Sequence, residues 1–176
     1  MPKYYKFIDK SYEATNTSFS YLDYLPKDGK PGDWLPEIEG DLILCENGYH
    51  ATTTDHLIEW LNAHLYEVEC EDILECDDKI VCRRIRLLRE IESWNPKNQR
   101  LFACWCVHQI WHLITDERSR NAVEVAERYA NGDATVEKLY AARDAAWDAV
   151  RDAAGDAASA AARAAARDAA SAAAGD

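Results

Sequence analysis

Three groups of side chains in this chain could do chemistry, and their spacing separates them. Cys45-Glu46-Asn47-Gly48-Tyr49-His50 sets a thiol and an imidazole on either side of a turn, where Gly48 can take a positive φ. A cysteine nucleophile needs a base in hydrogen-bond contact, and closeness in sequence does not supply one. Arg83, Arg84, Arg86 and Arg89 fall within seven residues, a density of guanidinium groups able to hold a phosphate or carboxylate. Tyr49, His50, Arg84 and Arg86 therefore define one candidate ligand pocket. Cys104, His108 and His112 recur every four residues and share one helical face. Zinc takes about four ligands, and no Cys-x-x-Cys pair supplies the remainder, so buried thiols and satisfied histidines are the expectation, with no metal and no cofactor implied. Glycine-rich phosphate loops, Gly-x-Ser-x-Gly and His-Glu-x-x-His are missing from the sequence. The residues favour a non-catalytic protein that touches another protein over an enzyme.

Charge supports that expectation. The 176 residues carry a formal net charge of −12, which disfavours direct binding of nucleic acid, because phosphate backbones need Lys and Arg to displace counterions. Between Lys30 and Lys79 there is no Lys or Arg and there are fourteen acids. Two outcomes are open. The acidic strand around 65–70 can pair across with the basic strand 80–89. Alternatively, Glu69, Glu71, Asp72, Glu75, Asp77 and Asp78 present an acidic surface to a basic protein partner.

These groups need elements to hold them. Tyr4 to Ile8 is an aromatic and apolar run that reads as a strand. Residues 9–36 carry turn signals at Asn16-Thr17-Ser18, Asp28-Gly29 and Pro31-Gly32-Asp33, threaded with Tyr12, Phe19, Tyr21, Tyr24 and Trp34. They suggest either a loop packed by its own rings or an aromatic-lined pocket. Asp41 to Cys45 reads as a buried strand and Thr54 to Ala63 as a short helix. Leu65 to Cys70 and Ile80 to Leu88 alternate as half-buried strands. In the second of these Val81, Ile85 and Leu87 share one face, opposite Cys82, Arg84 and Arg86. From Asn98 the period turns helical. A helix over 99–115 looks too apolar to be exposed, a second runs from Arg118 to Tyr129, and Asn131-Gly132-Asp133 closes one helix and caps the next. The expected fold is α+β: a small mixed β-sheet domain with one or two short helices over 1–97, a helical pair packed on it over 98–133, and a long Ala-rich helix over 134–176.

That last stretch falls into tetrads from Asp144: DAAW, DAVR, DAAG, DAAS, AAAR, AAAR, DAAS, AAAG. Ala is the best helix former, and from Ala134 to Gly175 one helix would be about 60 Å long. A four-residue period over-rotates against 3.6 residues per turn, so the Asp residues wind around the helix and no heptad stripe is expected. Asp144, Trp147, Asp148, Arg151 and Asp152 are the expected partner-binding residues, and a homo-oligomer through the Ala-rich helix is a further expectation. A single projecting helix is favoured over a hairpin at Gly155. No stretch is apolar enough to span a membrane, and no apolar leader opens the chain, so the cytoplasm is the expected location.

Cys45-Glu46-Asn47-Gly48-Tyr49-His50-Ala51, with Pro31-Gly32-Asp33-Trp34 and Arg83-Arg84-Ile85-Arg86-Leu87-Leu88, resembles a domain of unknown function found in phage and actinobacterial proteins, over about residues 4–95. Tyr49 and Thr52 stand where that domain more usually has Phe and Cys. Leu101-Phe102-Ala103, Cys106, His112, Asp116-Glu117-Arg118, Arg120, Ala122, Gly132 and the Ala-rich tail are similar to the helical part of so-called putative immunity proteins. The resemblance implies a phage or mobile-element accessory protein, an inhibitor of a host defence system or an immunity-type factor in the host cytoplasm. The alternative is a nucleotide- or phosphate-ligand-binding protein or enzyme with its pocket at His50, Arg84 and Arg86.

Overall fold

The computed structural model describes residues 2–14 and 19–174, with side chains through 164. The Asn16-Thr17-Ser18 turn signal and the closing Gly175-Asp176 lie outside the described residues. The chain is α+β and divides into two compact units, 1–96 and 97–176.

The first unit is built on four strands: β1 (Tyr4–Ile8), β2 (Tyr49–Ala51), β3 (His64–Glu75) and β4 (Ile80–Glu90). Their order is β1-β3-β4-β2 and every pairing is antiparallel, where a mixed sheet was expected. The sheet curls until its two ends meet: Tyr5 and Thr52 exchange both backbone hydrogen bonds at 2.8 Å. Beyond the reach of β2, the upper half of β4 is covered by the extended segment 32–38. Gly32, Leu35 and Ile38 donate to the carbonyls of Leu87, Ile85 and Arg83. Gly32 is required there, since a Cβ would lie 1.9 Å from the Tyr24 carbonyl oxygen.

Burial follows the pleat. Ile8, Tyr66, Val68, Cys82, Ile85 and Leu87 form the core inside the curl, joined by Leu35 and Tyr21 from the loop. The alternation expected along β4 holds only in its upper half. Cys82 lies in the core with Ile85, and Val81, also fully buried, is not part of that cluster. The change of face occurs opposite Asp72, whose φ of 51° breaks the regular extension of β3 between the paired residues Glu71 and Ile73.

Two other expected elements differ. Asp41 to Cys45 is not a strand but the approach to a turn bridged from Ile43 to Asn47, with Ile43 and Leu44 exposed. Asn47 holds it by donating from its amide to the carbonyls of Glu39 and Asp41, both at 2.9 Å. Thr54–Trp60 is 3-10 rather than α. The loop rings do pack on one another, with Phe19 5.1 Å from Tyr21 and 6.0 Å from Tyr24 between centroids.

The second unit holds α1 (Pro96–Gln109), α2 (Glu117–Asn131) and α3 (Val136–Ala174), with a 3-10 turn at Trp111–Leu113. Asp116 caps α2 by accepting from the amides of Arg118 and Ser119, and Gly132 ends it at φ 86°, as its position in the sequence suggested. α3 starts after Thr135, not Asp133, and is one helix without a break at Gly155. It packs on α2 through Ala142 and Ala149, seven residues apart and both buried, and Arg118 reaches Asp152 at 2.7 Å. The expectation that 99–115 is buried all round is not met. Cys104 is the buried residue of α1, whereas Trp105, Ile110 and Leu113 are exposed.

Candidate functional site

The curled sheet leaves a cavity of about 450 Å³ at its β1–β2 end. Strand β1 contributes Tyr5, Lys6 and Phe7, strand β2 contributes Tyr49 and His50, the loop contributes Phe19 and Tyr21, and Trp60 and Lys79 come from the 3-10 turn and the β3–β4 connection. The lining is thus aromatic, with a few charged groups directed at it.

Lys6 is the least expected of these. Period two puts it on the inner face of β1, between Tyr4 and Ile8. Its Nζ donates to the His50 carbonyl at 2.7 Å and stands 5.5 Å from the Tyr21 ring centre. Among the described residues, no carboxylate forms an ion pair with it. Burial lowers its pKa from 10.5 to about 8, because removing an ammonium from water without a counter-charge penalises the charged form. The nearby thiols of Cys82 and Cys70 could oppose this only as thiolates. Cys70 is held protonated by its hydrogen bond with Cys82 and by burial.

His50 faces the same space. Its Nε2 accepts from the backbone amide of Cys45 at 3.1 Å, so the neutral ring carries its proton on Nδ1. Burial, with Lys6 and Lys79 close by, lowers its pKa. The ring therefore meets the Cys45 backbone and not its thiol, and a Cys45–His50 catalytic pair has no contact to rest on. Lys79 lies 4.9 Å from the Trp60 ring centre and 3.6 Å from Asp78. Glu46 is the acid on the cavity wall. Gly48 is fixed by its neighbours: at φ 140°, a Cβ would lie 2.3 Å from Val81 Cγ1.

Of the four pocket residues expected from sequence, Tyr49 and His50 line the cavity, and Tyr49 donates its hydroxyl to the Pro36 carbonyl at 2.7 Å. Arg84 and Arg86 do not line it. They point outward from β4, bonded to Glu71 at 2.6 Å and Glu69 at 2.7 Å, with Trp34 packed against both guanidinium groups at 4.6 and 4.7 Å. Arg89 pairs with Glu67 in the same way, completing a cross-strand ladder. Arg83 turns back to the carbonyls of Ile38 and Gly40 and lies 3.5 Å from Asp72. Of the six acids expected to form a surface, Glu69, Glu71, Asp72 and Asp78 are thus paired with cations. Glu75 and Asp77 line a smaller cleft of about 230 Å³ beside Pro2, Tyr4 and His56.

In the second unit His108 is bonded to Glu127 at 2.8 Å and packs on Trp111, while the Cys104 thiol faces the Val123 carbonyl. Among the described residues no group of three or more His, Cys, Asp or Glu is placed to hold a metal ion. On α3, Asp144 pairs with Arg143, Asp148 with Arg151 and Asp152 with Arg118. Trp147 is 62% exposed, with Tyr140 and Val150 also outward. Among the described residues no helix is long and apolar enough to cross a membrane. The chain matches no protein-family model, no curated protein and no solved structure.

Proposed function

We propose that the first unit binds a small anionic ligand, a carboxylate or phosphate, in the cavity between β1 and β2. One observation carries this: Lys6 is half-buried against the cavity with no carboxylate partner among the described residues, in a unit whose other strand cations are matched to acids. An ammonium drawn partly out of water without a counter-charge costs stability, and such groups cluster at functional sites. Lys79 adds a second positive charge and the aromatic wall supplies apolar contact. The pocket expected at His50 thus keeps its histidine and exchanges its arginines for lysines. Thermal shift against nucleoside phosphates, inorganic phosphate and small carboxylates tests it. The expected shift persists in Arg84→Ala and is lost in Lys79→Ala. A shift in no compound class, or one lost in Arg84→Ala alone, rules the site out.

A second reading, a protein-binding accessory factor of phage or mobile-element type acting on a host defence system, draws support from α3. Tyr140, Trp147 and Val150 offer an exposed apolar stripe, an arrangement that marks interaction surfaces. The acidic hairpin contributes less, because its arginines neutralise most of it. Sedimentation of the full chain against residues 1–142 separates self-association from capture of a basic partner. An unchanged state and undiminished partner capture without the tail would remove α3 from this role.

A further inference from the structure

We propose that Lys6 is a covalent binding group, which forms an imine with an aldehyde or ketone carried by an anionic ligand in this cavity. The inference rests on the cavity being a ligand site and adds the class of ligand: an anion that also bears a reactive carbonyl, such as a 2-oxo acid or a phosphorylated aldehyde.

The geometry has the parts such a reaction uses. The amine sits on a rigid strand whose backbone is paired to β3, and its Nζ is aimed by the His50 carbonyl. Among the described residues no carboxylate holds the nitrogen as an ammonium. At pH 7 an amine titrating at about 8 is roughly 300-fold richer in free base than one at 10.5, and desolvated lysines of this kind are the ones that condense with carbonyls. The groups facing it are His50 from β2, Cys82 from β4, Cys70 from β3, the Tyr21 ring and Lys79, with Glu46 on the same cavity wall. Lys79 is placed to hold the ligand's negative charge at the same wall.

The step balances without an oxidant or reductant. The Nζ lone pair adds to the carbonyl carbon, and the C=O π pair moves to oxygen, which takes up a proton. Nitrogen gives up its two protons in turn, the second going to the new hydroxyl; the C–O bond then breaks, water leaves, and the nitrogen lone pair closes C=N. His50, neutral and on the same wall, offers its Nδ1–H as a donor to the carbonyl oxygen, and solvent carries the protons from nitrogen to oxygen.

The full chain is incubated with pyruvate or pyridoxal 5′-phosphate, reduced with sodium borohydride and mapped by peptide mass spectrometry. The expected result is an adduct at Lys6 at least ten-fold above that at the exposed Lys27 and Lys30, absent in Lys6→Arg with unchanged circular dichroism. His50→Ala should slow adduct formation without moving its site. A Lys6 level equal to that of Lys27 and Lys30 overturns the proposal. Lactate, an anion of pyruvate's size without the carbonyl, keeps the two readings apart. Thermal stabilisation by both pyruvate and lactate with no Lys6 adduct leaves an anion site and ends the imine. An adduct with no stabilisation by lactate supports the imine and shows that carboxylate contacts alone do not bind.

Discussion

The charge state of Lys6 makes a quantitative demand on stability. Its pKa is about 8 in the folded chain against 10.5 for the unfolded residue, so between those values the unfolded chain binds more protons. Stability then rises with pH. Lys6 contributes fully above pH 10.5 and loses the contribution as pH falls through 8. Linkage gives a gain of about 2.5 kcal/mol between pH 7 and pH 10, with about 1.4 of it present by pH 9. Lys6→Met keeps the bulk of the aliphatic stem and removes the titration. Urea unfolding of both proteins, followed by tryptophan fluorescence at pH 7, 8, 9 and 10, isolates the effect, because groups that do not sense Lys6 cancel in the difference. The wild type should gain on the variant across the series by roughly 2–3 kcal/mol. The variant also loses the bond to the His50 carbonyl, which moves the offset and not the slope. Two curves that stay parallel within about 0.5 kcal/mol would show that Lys6 is solvated or paired. They would also take away the premise of its reactivity.

Three further outcomes follow from the same contacts. Gly48→Ala combines a φ of 140° with a Cβ 2.3 Å from the fully buried Val81; strain and overpacking together cost about 2–6 kcal/mol, so thermal unfolding should begin at least ~10 °C lower. Ile85→Ala empties a fully buried position and should cost about 2–5 kcal/mol in urea unfolding, against about 1 for Ile85→Val. A double-mutant cycle on Glu69 and Arg86 should give a coupling of about 0.2–1 kcal/mol that shrinks in high salt; a larger, salt-insensitive coupling would mean that the ladder is not a solvent-facing one.

The sequence exposed the hairpin and concealed the pocket, for one physical reason. Acid–apolar alternation from Leu65 and basic–apolar alternation from Ile80 mark both strands, because both signals are local and of period two, whereas the partners across them are set by register. β1 and the Gly132 cap are local in the same way. Lys6 gives no such signal, because a lone lysine in an aromatic strand looks like the solvent side of an alternation. The available clue was its parity with Tyr4 and Ile8. Density in sequence points Arg84 and Arg86 to the pocket, whereas their facing is set by Glu71, Glu69 and Trp34, which only the register reveals. Asp41 to Cys45 shows the limit of apolar runs. DLILC reads as a buried strand, yet Asn47 ties the carbonyls of Glu39 and Asp41 into a turn and Cys45 takes φ 63°.

The two small buried contacts of α3 have a consequence for how the molecule melts. Ala142 and Ala149 anchor one end of a 39-residue helix, and residues 151–164 are exposed on every side. Over these residues helicity rests on alanine's intrinsic preference and not on packing, so it obeys helix–coil statistics. The sheet unit should lose its order in one cooperative step, whereas the alanine tetrads should lose theirs gradually as temperature rises. Amide hydrogen exchange would then show a gradient along α3, slowest opposite α2 and faster with each turn towards the C-terminus. A single melting temperature would describe the first hundred residues and misdescribe the helix that follows them.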